Sequence, residues 1–181
     1  LGHNVLVGYG NDSYSLNSAY GMNIFEKSNK TEVLKEITIG TADAGNYELY
    51  FALGDASSLD VEDMTYIGSG RMEDFGYVTH KLENPIYLDA NVSKFSIVAY
   101  WELDDNTKPI PLSSNGYALY INMDLEQGVS YMSPYGDYWQ DAYNMGAIVG
   151  IKAFTDDATY YAIATKTLTV NFEKDKLDVA S

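Results

Sequence analysis

No long stretch of this sequence repeats apolar residues at helical spacing. Short runs of alternating character follow one another instead, punctuated by Gly, Asn, Asp and Pro. A period of two belongs to an extended chain whose side chains point to opposite faces in turn. Such runs predict strands near His3–Tyr9, Ala19–Glu26, Val33–Gly40, Tyr47–Leu53, Met64–Arg71, Tyr77–Leu82, Lys94–Glu102, Tyr117–Met123, Val129–Ser133 and Ala147–Phe154. Ten strands at this spacing make two packed antiparallel sheets. The 17 Tyr and 6 Phe, with plentiful Val, Ile and Thr, favour the same class. The only helical turn expected lies around Ser58–Met64, with Ser58 as cap and Glu62 in the first turns.

The faces of single strands are legible. Tyr47, Leu49 and Phe51 share one side of their strand, and Glu48, Tyr50 and Ala52 the other. In the strand from Lys94, Phe95, Ile97, Ala99 and Trp101 alternate with Ser96, Val98, Tyr100 and Glu102. That second face is only partly polar, so the sheet there is covered or carries a site. His80 stands in phase with Val78 and Leu82, the place of a packed histidine.

Length and charge exclude several functions. A chain of 181 residues suits one domain, which commonly runs to about 100–150 residues, with a short appendage. Residues 1–157 are expected to form that domain, and residues 158–181 a closing strand or a linker into a following module. The formal charge of −15 and pI near 4.2 argue against nucleic acid, whose phosphates demand clustered Lys and Arg. With no cysteine there is neither a disulfide nor a thiolate nucleophile. No run approaches the roughly 20 apolar residues of a membrane span. The chain starts without methionine, as a processed product or an excised fragment would.

No GxSxG elbow, P-loop or GxGxxG turn is present, so nucleophilic and nucleotide chemistry lack machinery. A glycosidase would need paired carboxylates in an aromatic cleft. The nearest candidates are Asp137 and Asp141 flanking Trp139, and turn chemistry explains both more cheaply. Sugar binding has more to build on, because pyranose C–H faces stack on aromatic rings while hydroxyls seek fixed amides and carboxylates. Tyr131, Tyr135, Tyr138, Trp139, Gln140, Asp141, Tyr143 and Asn144 supply that mixture within a short stretch. Tyr135, Tyr138, Trp139, Asp141 and Tyr143 are therefore the candidate ligand-binding residues, joined by Trp101 from a second polar-aromatic cluster. In that cluster Asp104, Asp105 and Asn106 are candidate oxygen ligands for calcium, and the competing account is that they are simply hydrated.

The stretch Gly128–Thr155 also carries a spacing in which Ser133 and Gly136 shape a hairpin turn and Trp139 packs beneath it. This S-x-Y-G-x-x-W run, followed by a strand ending in Ile151-Lys152-Ala153-Phe154-Thr155, resembles the lectin-like domain found beside papain-like proteases and in other bacterial cell-surface proteins. Tyr135 stands where the family pattern has aspartate. The turn Thr41–Gly45, then Asn46–Phe51, Gly76–Leu82 and Phe95–Ala99 follow in the family's order, so the resemblance covers roughly residues 3 to 156.

The resemblance implies a two-sheet antiparallel β-sandwich of jelly-roll type at the cell surface, stabilised in some cases by calcium, that binds rather than reacts. Its partner would be a glycan or cell-wall polymer, or an adjacent domain of the same chain. The alternative is a structural spacer with no ligand of its own.

Overall fold

The computed structural model describes residues 6–9, 16–114 and 124–158. The chain is all-β: twelve described strands, all paired antiparallel, and two single 3-10 turns. In order the strands are β1 (Leu6–Tyr9), β2 (Ser18–Glu26), β3 (Glu32–Thr41), β4 (Gly45–Leu53), β5 (Thr65–Met72) and β6 (Gly76–Leu88). They continue with β7 (Lys94–Leu103), β8 (Ile110–Ser114), β9 (Ser130–Ser133), β10 (Gln140–Asp141), β11 (Ala147–Val149) and β12 (Ile151–Asp157). Among the described residues no helix is long and apolar enough to cross a membrane.

Hydrogen bonding divides these strands into three sheets rather than the two expected. A six-stranded sheet runs β10-β9-β2-β7-β4-β5, and two three-stranded sheets run β12-β3-β6 and β1-β8-β11. The smaller sheets meet at Gly150, whose N–H donates to the Pro111 carbonyl at 2.9 Å and whose carbonyl accepts from the Gly40 N–H at 2.6 Å. The single strand expected over Ala147–Phe154 is thus two strands in two sheets, parted at that glycine.

The main core lies between the six-stranded sheet and the two smaller ones. Leu34, Ile37, Ile39, Leu82, Ile110, Leu112 and Val149 pack there against Tyr47, Leu49, Phe51, Phe95, Ile97, Ala99, Trp101 and Leu103. Each fully buried aliphatic side chain contributes roughly 1.5–3 kcal/mol relative to exposure. The inward set of β4 and β7 is the one the alternation predicts. His80 also faces inward with Val78 and Leu82, and its Nδ1 lies 3.0 Å from the Tyr47 hydroxyl.

Two further expectations need correction, and two strands escaped the sequence. The helix around Ser58–Met64 is one 3-10 turn, Val61–Asp63, with Asp60 rather than Ser58 before it. The Val61 N–H donates to the Gly136 carbonyl at 2.8 Å, so a bond between loops takes the donor. Trp101 is not a surface residue: it is 0 % exposed and donates its indole N–H to the Gly40 carbonyl at 3.0 Å. Pro109 and Pro111 hide β8 by reading as loop, and β10 is only two residues long. The strand expected over Tyr117–Met123 and the tail after Ala158 lie outside the described residues.

Strand β6 runs beyond its expected end because Pro85 sits on an edge strand where pairing is interrupted. Lys81 pairs with Glu36 and Ile86 with Leu34, which leaves residues 82–85 opposite a bulge at Lys35. Proline, having no N–H, is tolerated at such a place.

A close backbone approach fixes Gly45 at the start of β4. A methyl group there would fall against the Glu102 carbonyl oxygen and stand 2.8 Å from the Leu103 Cα, and both are backbone atoms that cannot swing aside. Gly45→Ala should therefore part β4 from β7 and lower stability by about 1–3 kcal/mol. Urea unfolding measures this; a midpoint equal to wild type would show that the strands accommodate the methyl group.

Candidate functional site

The outer face of the six-stranded sheet is built by the residues that the core does not take. Register places Ser69, Glu48, Tyr100, Tyr20 and Ser133 side by side across β5, β4, β7, β2 and β9. The next row is Tyr66, Tyr50, Val98, Met22 and Tyr131, with Asp141 of β10 at its end.

Two loops cover part of this face. Met22 and Val98 lie beneath Ala56, Val61, Met64 and Trp139, which together form a second, smaller apolar cluster. Polar bonds fix the lid: Ala56 N–H donates to Ser96 Oγ at 3.1 Å and Ser96 Oγ to the Gly54 carbonyl at 2.8 Å, tying it to β7, while Trp139 Nε1 donates to the Leu59 carbonyl at 2.8 Å and joins its two loops. Trp139, 8 % exposed, is thus the underside of the lid, as its spacing predicts.

The remainder is a tyrosine platform in which Tyr66 is exposed, Tyr100 is half-buried, and Tyr20 and Tyr50 are half-buried with one side packed against the lid cluster. Tyr20 and Tyr100 have ring centroids 4.7 Å apart at a 40° tilt, and Tyr50 meets Tyr66 edge-on at 5.8 Å. The Tyr50 hydroxyl donates to Glu48 Oε2, and the Tyr66 hydroxyl donates to Ser69 Oγ at 2.8 Å. Partial burial, then the neighbouring Tyr100, Glu48 and Glu62, hold the Tyr20 hydroxyl above the usual phenol range. Burial and then the Glu48 carboxylate do the same to Tyr50. At neutral pH these rings are therefore uncharged, with carboxylates beside them.

The hairpin β9–β10 supplies the rim. Ser133 Oγ accepts from the Gly136 N–H at 2.8 Å and from the Tyr135 N–H at 3.4 Å, and Gly136 adopts φ +81°, so the serine and glycine shape the turn as expected. A side chain at Gly136 would strike Val61 and stand 3.3 Å from the Tyr20 ring. Tyr135 and Tyr138, 61 % and 69 % exposed, therefore flank a residue that touches the platform.

Other candidates serve the scaffold. Asp141 accepts from the Tyr143 N–H at 2.9 Å and from the Gly128 N–H at 2.8 Å, capping the 3-10 turn Ala142–Met145 on which Tyr143 is exposed. Asp137 accepts from the Tyr138 N–H at 2.7 Å. Both acids are engaged in turn chemistry.

The Asp104-Asp105-Asn106 trio does not fit a calcium cage. Both Asp104 oxygens accept from the Arg71 guanidinium, while Asn106 donates to Asp43 at 3.3 Å and accepts from the Lys108 N–H at 2.9 Å. The guanidinium bonds hold the Asp104 carboxyl below its ordinary range. Calcium needs six or more oxygens aimed at one point. Among the described residues no three His, Cys, Asp or Glu side chains stand close enough to hold a metal.

Sequence reasoning missed Tyr20, Glu48, Tyr50, Tyr66 and Tyr100 as a site. The available signal was the half-polar second face of the strands that carry Tyr50 and Tyr100.

The geometry is that of an all-β domain with an aromatic sheet face beside a covered apolar cluster. Residues 5–155 match the family described as the lectin-like domain, and the chain belongs to that family.

Two solved structures share the fold. One is the crystal structure of the cysteine protease and lectin-like domains of Cwp84, a surface layer associated protein of Clostridium difficile, with TM-score 0.64 and 21% identity, covering 77% of this chain and 32% of that one. The other is the Clostridial cysteine protease Cwp84 after propeptide cleavage, with TM-score 0.64 and 20% identity, covering 85% of this chain and 37% of that one. This chain thus spans about a third of the length of each. No curated protein matches it in sequence.

Proposed function

We propose that the chain is a non-catalytic, extracellular recognition module of a bacterial surface protein, a β-sandwich of jelly-roll type that binds glycans on its tyrosine platform. The observation that carries this reading is the Tyr20–Tyr100 pair, two adjacent rings on an open sheet face with carboxylates at their edge. Such rings stack on the apolar face of a pyranose, and the carboxylates and Ser69 accept from its hydroxyls. Tyr135 and Tyr138 close one side. The description of Cwp84 as surface-layer associated supports a cell-surface setting.

Tyr20→Ala and Tyr100→Ala should each weaken glycan binding about tenfold, the equivalent of roughly 1.4 kcal/mol. A glycan array followed by titration calorimetry measures it, with the melting temperature as a check on folding. A folded wild-type protein that binds no glycan would leave the spacer as the better description.

One observation favours a partner within the same chain as well. The outer face of the β12-β3-β6 sheet exposes Tyr77 on β6 and Phe154 on β12, with Lys152 over the Tyr77 ring at 5.2 Å. An adjacent domain seated there would cover aromatic surface that otherwise meets water, while the tyrosine platform stays open on the other layer.

A further inference from the structure

The charges nearest the Tyr20 ring are acidic. Glu48 lies within the tyrosine row, and both Glu48 and Glu62 act electrostatically on the Tyr20 hydroxyl. The strands place two basic side chains on this face, Arg71 of β5 and Lys94 of β7, near opposite ends of it. Arg71 is held by both oxygens of Asp104, and Lys94 pairs with Glu26 at 3.1 Å. Each already has a carboxylate partner, with which an incoming phosphate, sulfate or uronate must compete. The whole chain, at −15, adds a field that repels anions and gathers cations.

Aromatic faces beside carboxylates suit one chemical group above others, an ammonium. A cation over a tyrosine ring is drawn to its negative face, and a carboxylate at the ring edge completes the contact. The two rings stand side by side at a 40° tilt rather than as a closed cage. A bare ammonium would leave much of that apolar surface uncovered, whereas a pyranose that carries the ammonium covers it.

On the glycan reading above, we infer that the platform selects sugars bearing unacylated amino groups. The ring of the hexosamine stacks on Tyr20 and Tyr100 while its ammonium sits against Glu48 and Glu62. N-acylation removes the charge and adds bulk on the side where the carboxylates stand. Glycans rich in carboxylate or phosphate are turned away.

Calorimetry at low salt with glucosamine oligomers, N-acetylglucosamine oligomers of equal length and galacturonate oligomers tests this. The glucosamine oligomer should bind about tenfold tighter than its acetylated counterpart. The gap should narrow as added salt shortens the screening length from about 30 Å at 0.01 M to about 8 Å at 0.15 M. In Glu48→Gln with Glu62→Gln the ratio of the two affinities should fall to about one, because the amides keep the shape and lose the charge. Glu62→Gln alone, at an exposed position of the 3-10 turn Val61–Asp63, gives an intermediate ratio and guards against misfolding of the double variant. Glu83→Gln removes the same charge from an exposed site on β6, in another sheet, and should leave the ratio unchanged.

Equal binding of both hexosamine oligomers, lost in Tyr20→Ala, overturns the amine selectivity and leaves the glycan platform standing. So does tighter binding of galacturonate, or a preference that survives both glutamine substitutions. Failure of the folded protein to bind any of the three overturns both.

Discussion

Trp101→Ala should lower the stability of the protein by about 3–5 kcal/mol, the cost of emptying a large aromatic site in a packed core. Domains of ordinary stability hold roughly 5–15 kcal/mol in total, so the variant stands near or past its unfolding threshold at body temperature. Trp101 lies at the centre of the six-stranded sheet with no surface exposed. Its ring fills the space left by Gly21 on the neighbouring β2, where a methyl group would come within 3.0 Å of Cζ3. Its indole N–H reaches across the core to the Gly40 carbonyl on β3, tying one layer to the other. Alanine therefore opens a cavity and leaves that carbonyl short of a donor. Urea unfolding should show a large fall in the midpoint with an unchanged slope. A loss below about 1 kcal/mol would mean that Trp101 is not the core residue described here.

Asn23→Leu should cost about 2–4 kcal/mol, although leucine has nearly the same volume, because its penalty is unpaired polar groups. Asn23 is buried on the core side of β2 and donates through Nδ2 to the carbonyls of Val149 and Ile151, each at 3.0 Å. Its Oδ1 accepts from Ser130 Oγ at 2.7 Å, and Ser130 Oγ accepts in turn from the Val149 N–H at 2.9 Å. One amide thus holds the crossing where β11 leaves one sheet and β12 enters another. Leucine strands two carbonyl oxygens and part of the Ser130 hydroxyl's bonding in the interior.

Hydrogen exchange should localise the damage. The amides of Val149, Gly150 and Ile151 should lose protection before those of β4 and β7. A double-mutant cycle with Ser130→Ala should give a coupling of roughly 0.5–3 kcal/mol, since the two side chains share one network. Additive losses would show that the serine and the asparagine act separately.

The Lys94–Glu102 alternation leaves two options for its second face, covered or bearing a site, and the structure takes both. Val98 is roofed by Val61, Met64 and Trp139, while Tyr100, two residues on, stays half-open against Tyr20. Nothing local separates these residues. The roof arrives from residues 54–64 and 134–139 and covers Val98 and Met22 in the middle of one row, with Tyr50 of that row and Tyr20 of the next packed at its margin.

The same reason misplaces Trp101 and leaves Tyr135 and Tyr138 at the rim. A tryptophan beside Glu102 and Asp104 has the composition of a binding cluster, but its position on the strand puts it in phase with Phe95 and Ile97. Phase outweighs neighbourhood here, because side-chain direction alternates strictly along a strand.

What the residues determine alone is the local geometry: extended runs, their two faces, the Ser133–Gly136 turn with its tryptophan beneath, and the family those motifs share. These follow from steric and hydrogen-bonding preferences acting over a few residues. Which aromatic face is buried and which is open was decided only when strands far apart in the chain came together. Asn23 finds Val149 across 126 positions, and Trp139 finds Leu59 across 80. Burial is a property of such pairings, so the platform exists only in the folded chain.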